Sequence, residues 1–457
     1  MSAPVIWWIR QDMRLFDNPT LAAARSASPA VIPLFIIDPG LAHVRAVAPR
    51  RWAFLVDGLR ALDAALRAMG GVLIVREGPP EVVLQGLMAE TGAQAIFAQA
   101  GVTAYALQRD VAVGRSLPLR LVGWPTIYDP RALMRDEDRP YVIFSAFRRR
   151  WLDLLSIDPP ALYPAPSRWE MPSGIITLPV PTLPPDPAFP GGEGEARRRL
   201  AAFFAGEKAP IFQYRRFRDR ADRAWSSRLS PYLRFGMLSP RQAVVAALEA
   251  LSYAPDLEAQ QSVWAWINEL IWREFFLVLG FARFHRGWRS ERRGSRQIQT
   301  RKDRGALEAW KKGRTGYPLV DAGMRQLAAE GWLPNRIRMV VAAFLTKDLG
   351  MGWRAGASWF MEQLIDGDPV VNTGNWWWVA GLGLDPRPRR TFNIIRQSRR
   401  ADPLGDYIRR WVPELAAVPK EYLYSPWCMP REAQRAARCR IGWDYPSPLG
   451  LQPKEGL

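Results

Sequence analysis

A run of prolines divides this chain before any other feature is weighed. After Ile157 it reads "DPPALYPAPSRWEMPSG", and it closes on "LPVPTLPPDPAFPGGEG" at Gly194. Proline carries no backbone N–H and fixes φ, so the segment can be neither continuous helix nor inner strand. Such a stretch is a tether between folded parts. It predicts an α/β domain over residues 1–130, an interdomain linker over 131–195 and an all-helical domain over 196–457. A chain of 457 residues is long enough for about two or three cores.

The two sides of the tether differ in period. Before it, "VIWWI" (Val5–Ile9) and "AVIPLFIID" (Ala30–Asp38) are apolar runs of strand length. "PRRWAFLVDGLRALDAALRAMG" is helix-periodic up to Gly70, "GVLIVREG" and "AQAIFAQA" read as strands, and "EVVLQGLMAETG" lies between them as a helix. This alternation predicts a doubly wound parallel sheet with helices on both faces. No G-x-G-x-x-G follows a strand, so the usual dinucleotide fingerprint is missing. After Glu195 nearly every periodic stretch is helical. "SVWAWINELIWREFFLVLG" places Val263, Trp266, Ile267, Leu270, Ile271 and Phe275 at helical spacing. "YPLVDAGMRQLAAEG" and "RIRMVVAAFLTKDLG" each close on glycine, as a helix C-terminus does.

Composition narrows the chemistry. There are 63 Lys+Arg against 44 Asp+Glu, a net charge of +19. That excess favours a polyanionic partner, nucleic acid first, with a plain solvated basic surface as the alternative. Only His43 and His285 are present, which leaves triad, zinc and imidazole acid–base chemistry short of their usual group. No metal-ligand cluster, P-loop or G-x-S-x-G occurs. Cys428 and Cys439 cannot make a disulfide framework and suit a reducing cytoplasm. No apolar run of about 20 residues predicts a membrane span, and "MSAPVIWWIR" lacks the basic start of a signal peptide. Tryptophan is abundant, at 21 copies. Indole fills cores and interfaces, but it also stacks and gives up single electrons.

Four stretches concentrate polar groups among these indoles. In "WINELIWREF", Glu269 and Arg273 are helical neighbours, with Trp266 and Trp272 three residues to either side of Glu269; a surface ion pair beside core indoles would look the same. "WSSRLSPYLRFGMLSP" offers Ser226, Ser227 and Ser230 around Arg228, a donor set for a diphosphate or a loop with capping serines. "GWLPNRIRMVVAAF" starts a helix at Asn335, which could be its N-cap, and aims Arg336 and Arg338 at different faces. "LIDGDPVVNTGNWWWVAG" sets two acids and an amide before three consecutive tryptophans.

In order and spacing, "WIRQDMRLFDNPTL", "SSRLSPYLRFGMLSPR", "SVWAWINELIWREFF", "GRTGYPLVDAGMRQLAAEGWLPNRIRM", "FLTKDLG" and "FMEQLIDGDPVVNTGNWWW" resemble the photolyase/cryptochrome family, and within it the class I cyclobutane pyrimidine dimer photolyases of bacteria. The resemblance runs from Val5 to about Pro448. It implies FAD held in the helical domain and an electron lent, on blue-light excitation, to a pyrimidine dimer flipped out of UV-damaged DNA. Neither a histidine base nor a metal is required. A cytoplasmic monomer is expected.

The resemblance also assigns residues. Tyr214 and Ser226, Ser227, Arg228, Leu229 and Ser230 would grip the diphosphate, with Trp266, Glu269 and Arg273 alongside. Arg338 and Asp366 would pair over the flavin ring, Gly367 and Asp368 would complete its seat, and Asn372 would face flavin N5. A neutral amide there tolerates an anionic reduced flavin, where a carboxylate would oppose it. Glu269, Trp272, Asn335, Met339 and Trp378 would hold the lesion, and Arg218 and Arg336 the flanking phosphates. Trp376 and Trp353 would carry electrons to oxidised flavin.

Departures sharpen these expectations. Thr300 stands where a third, solvent-facing tryptophan is expected; Trp288, Trp310 and Trp359 are the unranked replacements. Pro334 replaces a histidine and restricts Leu333, which disfavours a (6-4) photolyase. Thr373, Asn375 and Trp377 replace more usual residues, and Asn393 lacks its following proline. Tyr105 and Ala106 replace an Asn-Glu pair that binds folate in some relatives. The antenna is thus expected to be a flavin, a deazaflavin or none, rather than folate. The rivals are a cryptochrome-like photoreceptor and a basic DNA-binding protein without chemistry.

Overall fold

A computed structural model describes residues 3–223, 225–288, 301–382 and 392–450. Five strands form one parallel sheet: β1 (Val5–Ile9), β2 (Val31–Ile37), β3 (Ile74–Glu77), β4 (Ile96–Ala98) and β5 (Leu119–Leu121). Their order is β3-β2-β1-β4-β5, with Ile6 opposite both Ile32 and Ile96. The order reverses direction between β1 and β4, as in a doubly wound fold. Every residue of β1 and β2 is buried, because helices cover both faces and leave no polar side to alternate. The α/β expectation and the helical character of the remainder both hold.

The proline-rich segment has a structural duty that its composition did not announce. It lies along β3, the edge strand. Leu178 N–H donates to Val75 O at 2.9 Å, and Thr177 Oγ1 accepts from Val75 N at 2.8 Å. Trp169 is buried, donates Nε1–H to Val31 O at 2.8 Å, and sits over Gly71, where an added Cβ would fall 2.7 Å from the indole. Exposed strand edges recruit other strands, and a covering segment prevents this.

Elements used below are helices α1 (Phe144–Ile157), α2 (Ser230–Phe235), α3 (Leu257–His285), α4 (Pro318–Glu330), α5 (Asn335–Ala343), α6 (Trp353–Gln363), α7 (Pro369–Val379) and α8 (Ile394–Ala401). Thus α1 falls within the region assigned to the linker. Two compact units emerge: Met1–Gln213 with Ser227–Ser290 and Asp368–Val371, and Tyr214–Ser226 with Glu291–Gly367 and Asn372–Leu457. The 29-residue α3 belongs to the first unit. It starts on Asp256, whose side chain accepts from Ala259 N, and buries an apolar stripe that includes Val263, Trp266, Ile267, Leu270 and Ile271. The second unit has its own core, with Trp310, Phe344, Tyr407 and Tyr445 among its buried members. No helix among the described residues is long and apolar enough to cross a membrane.

Candidate functional site

In the first unit, α2 follows a turn in which Arg228 takes φ +51° and Leu229 φ −86°, ψ −7°. A left-handed residue followed by a right-handed one turns successive N–H groups to one side, a shape that suits an anion. Ser227 Oγ accepts from Trp266 Nε1 at 3.4 Å, and Ser230 is exposed. The Arg228 guanidinium stacks over Phe189, 4.4 Å from the ring centroid.

Arg273 turns inward to backbone carbonyls. Its guanidinium donates to Pro125 O at 2.7 Å and Leu233 O at 3.3 Å. Burial of that head group lowers its pKa, opposed chiefly by Asp368. Asp368 lies 3.4 Å from Arg234 Nε and accepts from Val370 N and Val371 N, both at 2.9 Å. It thus caps the start of α7 as well as offering a carboxylate. That start packs closely on α3, because Gly280 leaves room for Val370 where a Cβ would come within 2.5 Å.

On the same α3, Glu269 and Trp272 are half-buried. Trp272 stacks on Phe144 of α1, with centroids 3.6 Å apart and planes 3° from parallel. The next carboxylate along, Glu274, is buried; it accepts from Trp151 Nε1 at 2.8 Å and from Ile127 N–H. Burial raises its pKa to about 7. Sequence reasoning passed over Phe144 and Glu274 because their partners lie more than a hundred residues away.

The second unit holds the remaining assigned residues. Gly331 ends α4 in the left-handed region (φ +62°). Its carbonyl accepts from Ile365 N at 2.9 Å, so the Asp366 segment lies beside the start of α5. There Arg338 Nη1 and Nη2 meet Asp366 Oδ1 and Oδ2 at 3.1 and 2.7 Å, and Arg338 Nε donates to Leu333 O at 2.9 Å. The carboxylate is 3% exposed and the guanidinium side chain 25%, so the fork presents its cationic member. Gly367 follows Asp366 on this segment, and its N–H points to Leu364 O at 3.4 Å. Asn372 donates its amide to Ala357 O of α6 at 3.0 Å. The N-cap of α5 is Pro334, which makes Asn335 the first helical residue and sets aside its reading as the cap.

Arg336 and Arg338 do serve different partners. Arg336 forms a fork with Asp219 (3.0 and 2.9 Å), and Arg400 of α8 reaches the same carboxylate at 2.7 Å. Arg218 is exposed and lies 6.0 Å from the ring of Tyr214, which is half-buried; Ser226 is exposed. Met339 packs on the core, and Trp378 is half-buried.

Trp376 is buried against Gly356, where a Cβ would stand 2.2 Å from the indole. It meets Trp310 and Phe360 edge-on, at 6.2 and 5.1 Å. Trp353 neighbours Trp377 at 6.4 Å, a contact the sequence did not suggest. Of the replacement tryptophans, Trp310 is fully buried, Trp359 is half-buried with Lys311 5.0 Å from its ring, and Trp288 belongs to the first unit. Thr300 lies outside the described residues.

Within the first unit, the accessible Ser230 hydroxyl and the anion-shaped turn are the donor types that a flavin dinucleotide needs at its diphosphate; within the second, the Arg338 guanidinium, held by Asp366, is the type of cation that suits its ring. The residues fit FAD. At the switch point of the sheet, Trp8 lies under Arg10 and Arg109 at 3.8 and 5.0 Å, with exposed Tyr105 5.6 Å from Arg109. Ligands of doubly wound sheets settle at such a place.

Comparison with known proteins places these features in a lineage. The family model of the FAD binding domain of DNA photolyase matches residues 266–452, and that of DNA photolyase matches residues 5–167. The deoxyribodipyrimidine photo-lyase of Streptomyces griseus is 37% identical over 462 residues, covering 98% of this chain and 96% of its own. A class III photolyase from Agrobacterium tumefaciens superposes with a TM-score of 0.86 at 32% identity, covering 98% of this chain and 95% of its own. A Synechocystis cryptochrome does so with 0.88 at 31%, covering 99% and 97%. With both domains matched and a full-length relative at 37% identity, the chain belongs to the DNA photolyase family.

Proposed function

We propose that this protein is a light-driven lyase that splits cyclobutane pyrimidine dimers in DNA. The full-length match to a deoxyribodipyrimidine photo-lyase carries the reading. The absence of histidine at Pro334 and Asn335 separates it from (6-4) chemistry. When bound, FAD would supply light-driven one-electron chemistry for opening the cyclobutane ring.

The chain's own residues bind, orient and exclude water. The Ser226–Ser230 turn and Tyr214 take the diphosphate, and Arg338, Asp366 and Asp368 seat the ring system. Arg338 keeps positive charge beside the ring, with Asp366 holding the guanidinium plane. Asn372 is neutral, so it adds no repulsion to a negative partner. Glu269 and Asn335 hydrogen-bond the pyrimidine edges, and Trp272 and Trp378 wall the flipped bases. Arg218 and Arg336 hold flanking phosphates, which makes binding salt-dependent. Trp376 and Trp353 refill electrons when the cofactor is oxidised. The protein acts as a cytoplasmic monomer.

The test is repair of irradiated oligothymidylate by reduced protein under blue light, read as recovered thymine absorbance. No recovery with flavin bound and reduced overturns the reading and leaves the photoreceptor alternative. Trp376→Phe is expected to abolish photoreduction yet leave repair by chemically reduced enzyme intact.

A further inference from the structure

We propose that Phe144 is a positioning residue for lesion recognition, acting by fixing the plane of Trp272. The inference rests on the assignment of Trp272 to the lesion pocket. Aromatic pairs ordinarily settle offset or edge-on. Phe144 and Trp272 instead lie face to face, 3.6 Å apart and 3° from parallel. Their neighbours impose this. Phe275 stands edge-on to both rings, 5.8 Å from Phe144 at 84° and 5.6 Å from Trp272 at 87°. The same two helices are pinned further along, where Trp151 of α1 donates to Glu274 of α3 at 2.8 Å. Phe276 adds a tilted contact to the indole, at 5.8 Å and 31°.

Two consequences follow for a stacked base. Phe144 covers one face of the indole, so that face is closed to a base. The indole's orientation is also set before DNA arrives, so less side-chain freedom is lost on binding. Phe144 does this from a helix 128 residues upstream of Trp272. It need not touch DNA.

The experiment compares flavin-loaded wild type, Phe144→Ala, Phe144→Leu, Phe144→Tyr, Trp272→Ala and the double variant Phe144→Ala/Trp272→Ala. Dissociation constants are measured for dimer-containing and undamaged duplexes. Phe144→Ala is expected to weaken dimer binding about 5- to 10-fold, a part of one base-stacking contribution, with undamaged duplex unchanged. Phe144→Tyr, which keeps a stacking ring, restores discrimination; Phe144→Leu, which keeps bulk without a ring plane, does not. In the Trp272→Ala background, Phe144→Ala adds no further loss, because residues acting through one contact are not additive. Equal losses for damaged and undamaged DNA, or an undiminished loss in the Trp272→Ala background, overturn the proposal. If Trp272→Ala itself leaves dimer affinity intact, the lesion-pocket assignment fails, and this inference with it. Thermal midpoints measured alongside separate misfolding from misorientation, and Phe144→Leu decides the matter should Phe144→Ala not fold.

Discussion

Two buried carboxylates are handled in opposite ways. Glu274 in the first unit is met by neutral donors, an indole N–H and a backbone N–H, and its pKa rises to about 7 under burial. Asp366 in the second unit is met by a bidentate guanidinium. Neutral donors satisfy the oxygens without balancing the charge; a guanidinium does both. The first arrangement suits a clamp between chain segments. The second holds a fixed dipole whose cationic member stays accessible.

Breaking the charged arrangement is expected to have the largest effect. Arg338→Ala leaves Asp366 enclosed without its counter-charge, which costs about 3 kcal/mol. Purified protein is expected to lose most of its flavin, measured by absorbance, with a lower denaturation midpoint. Unchanged flavin content would place the seat elsewhere.

The neutral arrangement gives a pH signature. Folded Glu274 keeps its proton toward pH 7, whereas the unfolded carboxyl releases it near 4.5. The native state therefore binds more protons in that window. The resulting stability is fully present below about pH 4.5 and is lost as pH rises through 7, a change of about 3 kcal/mol. Glu274→Gln cannot titrate and has one acceptor oxygen for two donors, so it carries a constant penalty. Urea titrations across pH should show the wild-type advantage shrinking between those values. A parallel offset would mean that Glu274 stays ionised throughout.

Adding a carboxylate without a guanidinium tests the contrast from the other side. Asn372→Asp places negative charge in the second unit with no arginine assigned to it. A shift of about 1–2 kcal/mol against the anionic reduced flavin is expected from like-charge repulsion, read as a lower reduction potential. An unchanged potential would remove Asn372 from the ring's surroundings.

The smallest effect belongs to the half-buried bridge, where Asp219 serves both Arg336 and the exposed Arg400. Asp219→Asn releases positive charge there, and DNA affinity should rise by a few tenths to about 1 kcal/mol. The dependence of affinity on salt should steepen. A flat response would take Arg336 off the DNA path.

Much of the architecture was legible because it is written in local period. Buried runs at Val5–Ile9 and Val31–Ile37 and helical spacing from Val263 to Phe275 are short-range patterns. The Arg338–Asp366 fork was also anticipated, through a likeness of motifs rather than through spacing. Other features resisted. Asn335 looks like an N-cap, yet Pro334 takes that position. Arg273 looks like a surface partner for Glu269, yet it donates to carbonyls of distant segments. The tripled tryptophan separates only in the fold, where Trp376 meets Gly356 and Trp377 meets Trp353.

The sequence by itself determined the strand and helix alternation, the helical second part, the basic charge and the family likeness, because period, composition and motif order are properties of a chain. Tertiary structure decided what the proline-rich segment covers, which partner each buried charge receives and which aromatic faces meet. Those depend on groups such as Phe144 and Trp272, or Trp151 and Glu274, that only folding brings within a hydrogen bond or a stacking distance.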